Sequence, residues 1–161
     1  MSKIYRQWLD DYQDLVWSLA RHLLRDVQEA EDVTQEVFIR LWQHREAMDP
    51  GQVKPWLMRV TRNLCLDKLR HRRPEAEFDE NQACDDKTPA ERLQRSETRS
   101  WLQAAISRLA EPFRSLVILR DIQQHSYQEV AGITGLSPSQ VKTYLHRARK
   151  QLRAQLQELP Q

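Results

Sequence analysis

The stretch "SYQEVAGITGLSPSQVKTYLHRARK", residues 126–150, leaves the backbone few options. Ser126 is followed at capping-box spacing by Glu129, and Ser137 by Gln140. At that spacing each serine hydroxyl and its acidic or amide partner satisfy one another's backbone donors at a helix start. Pro138, directly after Ser137, costs nothing at the first helical position, where the missing N–H has no intrahelical partner. Gly135 lies between the two starts, where a left-handed residue without a Cβ ends a helix. The segment therefore predicts a short helix carrying Val130, Ala131 and Ile133, a tight turn, and a second helix from Ser137 onward: a helix-turn-helix. Small Ala131 permits close approach, and Val141 and Leu145 point back at the first helix. Lys142, Thr143, His146 and Arg149 are left on the outer arc, flanked by Arg147 and Lys150.

Residues 137–153 contain bases and no acids. A helix of that charge fits the major groove of DNA, its N-terminal half reaching base edges while Lys and Arg neutralise phosphates. One carboxylate on the reading face would repel the polyanion. The alternative, an ordinary helical hairpin with a solvated basic face, stays open on these residues alone.

The rest of the chain reads as helix too. Three glycines, 30% charged residues and frequent Leu, Gln, Glu and Arg disfavour strands, and no period-two run of Val, Ile and Thr is present. The expected class is all-α: two small helical bundles joined by an acidic linker, the C-terminal one containing the helix-turn-helix. A first helix is expected over about 4–25, with Ile4, Trp8, Leu9, Tyr12, Leu15, Val16, Leu19, Leu23 and Leu24 as its apolar stripe. Asp26 can cap a second, with Ala30, Val33, Val37, Phe38, Leu41 and Trp42 inward. After "MDPGQ" a third would bury Trp56, Leu57, Val60, Leu64 and Leu69. Residues 1–73 thus form one expected domain and 74–91 a linker rich in Glu and Asp. Residues 92–161 form the second domain, with Leu93, Trp101, Leu102, Ala105 and Leu109 in its first helix and Pro112 opening the next. Cys65 is expected in packing and Cys84 on the linker. Two cysteines make no disulfide framework, and with no signal peptide and no membrane-length apolar run a reducing cytoplasm is expected.

The net charge of +2 conceals its distribution. Lys54, Arg59, Arg62, Lys68, Arg70, Arg72 and Arg73 face only Asp67 in residues 54–73, so two basic stretches flank an acidic one, as two contacts with a polyanion would require. In "DVQEAEDVTQEVFIRLW", residues 26–42, Glu29, Asp32 and Glu36 lie outside an otherwise apolar helix, with Gln35 among them. That face suits a basic partner, although a plain solvated face is the rival. Arg59, Arg62, Asn63 and Arg70 on the third helix are available to nucleic acid.

Together, "AEDVTQEVFIRLW" and "WLMRVTRNLCLDKLRHRR" resemble region 2, and "SYQEVAGITGLSPSQVKTYLHRARKQLR" resembles region 4, of the extracytoplasmic-function (group 4) sigma factors of bacterial RNA polymerase. The family often has Leu-Pro before the region 4 helices, whereas "LAEPFR" here places the proline at Pro112. The resemblance implies a non-enzymatic promoter-specificity subunit with no cofactor or metal. Its partners would be core polymerase, through the β′ clamp helices and the β flap, promoter DNA, and an anti-sigma factor that covers these surfaces. It implies clamp-helix binding by Asp32, Gln35 and Glu36. Asn63, with the loop around Asp49 to Lys54 and the neighbouring Arg59, Arg62 and Arg70, would serve the −10 element. Lys142, Thr143, His146 and Arg147 would read the −35 element, with Arg149 and Lys150 nearer phosphate. A free-standing transcriptional regulator would explain the helix-turn-helix but not the acidic and basic helices of the first half. An enzyme has little support, since no phosphate loop or nucleophile–base pattern is present.

Overall fold

The computed structural model describes residues 2–72 and 89–158, with side chains of the second segment described from Thr98 onward. The chain divides into two compact units, within Met1–Phe78 and Asp79–Gln161. All regular structure among the described residues is helical. The acidic stretch read as a linker, with Cys84, falls largely outside them, although a helix already begins at Pro89 inside the span assigned to it.

In the first unit, α1 (Lys3–Leu24), α2 (Val27–His44) and α3 (Val53–Arg70) pack pairwise into a three-helix bundle. Their common core is Trp8, Val16, Leu19, Leu23 and Leu24 from α1, Ala30, Val33, Val37, Phe38 and Leu41 from α2, and Val53, Leu57, Met58 and Cys65 from α3. Burial of such apolar stripes is what holds short helices together, since isolated helices of this length are marginal in water. The turn from α1 to α2 is sharp: Arg25 is left-handed at φ 57° and its N–H closes on the Arg21 carbonyl. Asp26 then caps α2, its carboxylate accepting from Glu29 N–H at 2.9 Å. Arg72, just beyond α3, donates to the Leu24 carbonyl at 2.8 Å and pairs with Glu29, tying the exit of the bundle back to that turn.

Several stripe positions depart from expectation. Ile4 is 46% exposed, and Tyr5 takes the inward place beside it, its hydroxyl donating to the Phe38 carbonyl at 2.8 Å. Trp42, expected in the core, is 36% exposed: the chain leaves the helix soon after it, and the Arg45 guanidinium lies 3.6 Å from its ring centre. On α3 the buried face is rotated from the expected one. Val53, Leu57, Met58, Thr61 and Cys65 are inward, while Trp56, Val60, Leu64 and Leu69 are half-buried. Thr61 is tolerated inside because its hydroxyl donates to the Leu57 carbonyl at 2.6 Å. Full burial pushes the Cys65 thiol up to about 12, so it stays protonated and packs as a small apolar group.

The second unit comprises α4 (Pro89–Ser107), α5 (Phe113–Val117) running into a π turn (Ile118–Ile122), α6 (Tyr127–Thr134) and α7 (Pro138–Gln157). Helix α7 packs on α4, α5 and α6. Ala105, Ile106, Leu109, Leu116, Ile118, Leu119, Val130, Val141, Leu145 and Ala148 form the core. Trp101 and Leu102, expected inside, are 40% and 39% exposed, while Ala105, Ile106 and Leu109 are buried; Leu93 lies outside the residues whose side chains are described. Pro112 stands as the N-cap of α5 rather than within its first turn.

The two glycines of the helix-turn-helix give opposed expectations. Gly135 has φ +80°, where a Cβ is strained whatever the space, whereas Gly132 is helical and a methyl added there meets nothing within 4 Å. Gly135→Ala should lower stability by about 1–2 kcal/mol, and Gly132→Ala should raise it by about 0.5–1 kcal/mol. Thermal melts of the two variants, followed by circular dichroism, check both signs.

Candidate nucleic-acid interface

Both helix starts of the helix-turn-helix are closed reciprocally. Ser126 Oγ accepts from Glu129 N–H at 3.0 Å, while Glu129 Oε1 accepts from Ser126 N–H at 3.1 Å. Ser137 Oγ accepts from Gln140 N–H at 3.1 Å, and Gln140 Oε1 accepts from Ser137 N–H at 2.9 Å. Between them the Gly135 N–H bonds the Ala131 carbonyl at 2.9 Å. These bonds use the orphan backbone groups at both helix ends and fix the direction in which α7 leaves the turn.

With Val141, Leu145 and Ala148 buried, α7 has one orientation about its own axis. Lys142, Thr143, His146, Arg147 and Lys150 are exposed as a result. Some of these cations lean on aromatic rings. The Lys142 ammonium is 5.6 Å from the centre of the Tyr127 ring, and the Arg147 guanidinium is 5.6 Å from that of Tyr144. Tyr144 in turn meets Phe113 edge-on at 5.8 Å. Such contacts orient a charge without neutralising it.

Arg149 differs from its neighbours. It is half-buried, and its Nε–H and Nη2–H donate to Asp121 Oδ2 and Oδ1 at 3.1 and 2.6 Å. Those bonds raise the Arg149 pKa further above its ordinary value. Sequence reasoning places Arg149 near phosphate; the fold gives it a carboxylate first. Asp121, Arg120 and Tyr127 were not foreseen beside this face. Arg120 lies 4.7 Å from the Tyr127 ring centre and donates to the His125 carbonyl at 2.8 Å. No local spacing announces a pair as far apart in the chain as Asp121 and Arg149.

On the first unit, Asp32, Gln35 and Glu36 are exposed on α2, next to Ile39, which is 53% exposed. Glu36 accepts from Arg40 at 3.0 Å and Asp32 from Gln28 at 3.3 Å, both along the same helix. Ile39 continues the exposed row at helical spacing, outside the expected apolar stripe, and a reading by charge alone gives it no role. On α3, Arg59, Asn63 and Arg70 are exposed and Arg62 is half-buried. Arg70 is 3.5 Å from Asp67.

The loop before α3 is ordered by Asp49, whose Oδ1 accepts from Gly51 N–H at 3.2 Å while its carbonyl accepts from Gln52 at 2.8 Å. Asn63 lies well along α3 from Val53, about 15 Å at the helical rise. Trp56, at the head of α3, is half-buried and 5.7 Å from the ring of His44. Among the described residues no group of His, Cys, Asp and Glu could hold a metal ion, and no helix is long and apolar enough to cross a membrane.

Comparison with known proteins agrees in both units. The family model for sigma-70 region 2 matches residues 8–75, and that for sigma-70 region 4 matches residues 99–152. The chain is 38% identical over 148 residues to the ECF RNA polymerase sigma factor SigE of Mycolicibacterium smegmatis, covering 88% of this chain but 57% of SigE. It is 30% identical over 164 residues to the ECF RNA polymerase sigma factor SigW of Bacillus subtilis, covering 94% of this chain and 88% of SigW. Among solved structures, CnrH in complex with the cytosolic domain of CnrY matches with a TM-score of 0.73 at 25% identity, over 95% of this chain and 87% of CnrH. Two matched regions in order, on two helical units, lead to one conclusion: the chain belongs to the extracytoplasmic-function sigma factors of RNA polymerase.

Proposed function

We propose that this chain directs core RNA polymerase to specific promoters by dividing the work between its units. Residues 1–73 hold polymerase and the −10 element, residues 92–161 hold the −35 element, and the acidic residues 74–91 join them. The observation that carries the reading is α7: a helix whose entry is fixed by a double cap and whose solvent face offers Lys142, His146, Arg147 and Lys150. Helices so presented enter the major groove, where side chains near the N-terminus meet base edges and the remaining cations meet phosphate. Lys142, Thr143, His146 and Arg147 are assigned to the −35 bases and Lys150 to the backbone.

On the first unit, Asp32, Gln35 and Glu36 form the polymerase-binding face, and exposed Ile39 supplies apolar contact within it. Exposed carboxylates steer and specify more than they bind, so a basic partner gains both rate and register from them. Arg59, Arg62, Asn63 and Arg70 follow the displaced strand of the −10 element, where a basic surface and a trapped base sustain melting. The chain makes and breaks no bonds itself. It acts in the cytoplasm with the polymerase, and a protein that covers its faces holds it inactive, as an anti-sigma factor does. CnrH bound to the cytosolic domain of CnrY is a related chain in complex with another protein.

Two charge reversals separate the roles. Glu36→Arg should lower the affinity for core polymerase about tenfold or more, as like charge replaces attraction across the interface, while the thermal melt stays unchanged; native gel shift or fluorescence titration with core enzyme reads this. Lys142→Glu should weaken promoter binding by about 1–3 kcal/mol and leave polymerase association intact. Undiminished core binding by Glu36→Arg, or undiminished −35 recognition by Lys142→Glu, would contradict the respective assignment.

A further inference from the structure

Lys142, His146 and Arg149 share one face of α7; Lys142 leans on the Tyr127 ring, whereas Arg149 is paired with a carboxylate. One edge of its guanidinium, Nε and Nη2, meets both carboxylate oxygens of Asp121, near the end of the π turn, and Tyr127 lies alongside. The two side chains are 38% and 34% exposed, so water and ions reach the pair. No residue of Pro138–Gln157 is acidic, so Asp121 brings a carboxylate to a helix that otherwise excludes one.

A carboxylate offers an arginine fork the same two-oxygen geometry that a DNA phosphate offers. The pair is bidentate yet partly exposed, so a phosphate that reaches Arg149 must compete with Asp121 for it. Phosphate contacts supply most non-specific affinity, each adding to its salt dependence. Base contacts made by neighbouring side chains do not depend on Arg149.

We propose that Asp121 is an internal phosphate surrogate: by occupying Arg149 it withholds one backbone contact and so lowers the affinity of α7 for duplex DNA irrespective of sequence. This rests on the reading of α7 as the DNA-reading helix. It adds a residue outside that helix which limits sequence-independent binding.

The test uses the full chain, a labelled random-sequence duplex and a salt series read by fluorescence anisotropy. Asp121→Asn should bind about threefold tighter or more at low salt, with the log–log salt slope steeper by roughly one contact. In the double variant Asp121→Asn with Arg149→Gln, that gain should vanish. Circular dichroism melts set a temperature at which every variant is folded, and Asp121→Ser serves if the asparagine variant is unstable. Unchanged or weaker binding by both Asp121 variants would overturn the proposal, leaving the pair as a strut. A gain that persists without Arg149 would overturn it too, assigning the effect to Asp121's charge alone. Lys142→Glu distinguishes the underlying reading: random-duplex binding unaffected by it would show that α7 is not the DNA contact at all.

Discussion

In each unit a left-handed residue closes one helix just before the capped start of the next. Arg25 at φ 57° closes α1 and Asp26 opens α2; Gly135 at φ 80° closes α6 and Ser137 opens α7. The constraint behind both is that helix ends leave backbone groups without partners, which must be satisfied locally in a tight corner. Once those groups are closed, the angle between successive helices is set, and so is the face each presents. The acidic row of α2 and the basic row of α7 are consequences of where these corners point the chain.

Packing then fixes rotation about each axis. Val141, Leu145 and Ala148 face inward on α7, as Val33, Val37 and Leu41 do on α2. The charged residues left outside are of one dominant sign on each helix, and the two signs are opposite. Opposite signs suit opposite partners: a polyanion for α7 and a basic protein surface for α2. Neither core is large, and small cores leave little stability in reserve. This makes the local devices important, including the reciprocal caps, the Arg72 tie to the Leu24 carbonyl and the Asp121–Arg149 pair.

Much of the second unit's turn is legible from the chain alone, because capping-box chemistry is local. Ser126 with Glu129, Gly135, and Ser137 with Gln140 all occupy their expected roles. Asp26 is legible for the same reason. Arg25 is not, since a left-handed arginine carries no glycine signal. The inward face of α3 is misjudged when large residues are weighted over position: Trp56 and Leu64 look more like core than Thr61, yet helix phase buries Thr61, whereas Cys65 packs inward as expected. Trp42 is misplaced similarly, at the end of a stripe where covering residues run out, and Trp101 is exposed as well. Of the interface residues, Lys142, His146 and Arg147 are exposed as the periodicity requires. The engagement of Arg149 by Asp121 depends on a tertiary approach that no spacing rule reaches.

Transcription in vitro with core RNA polymerase on genomic DNA, with and without this chain, followed by mapping of the 5′ ends, tests most directly whether the two units act as a promoter-selecting subunit. New start sites that share a common pair of upstream elements and depend on both Glu36 and Lys142 are expected. No polymerase association and no new start sites, despite tight specific binding of the chain alone to duplex DNA, would instead make it a free-standing regulator.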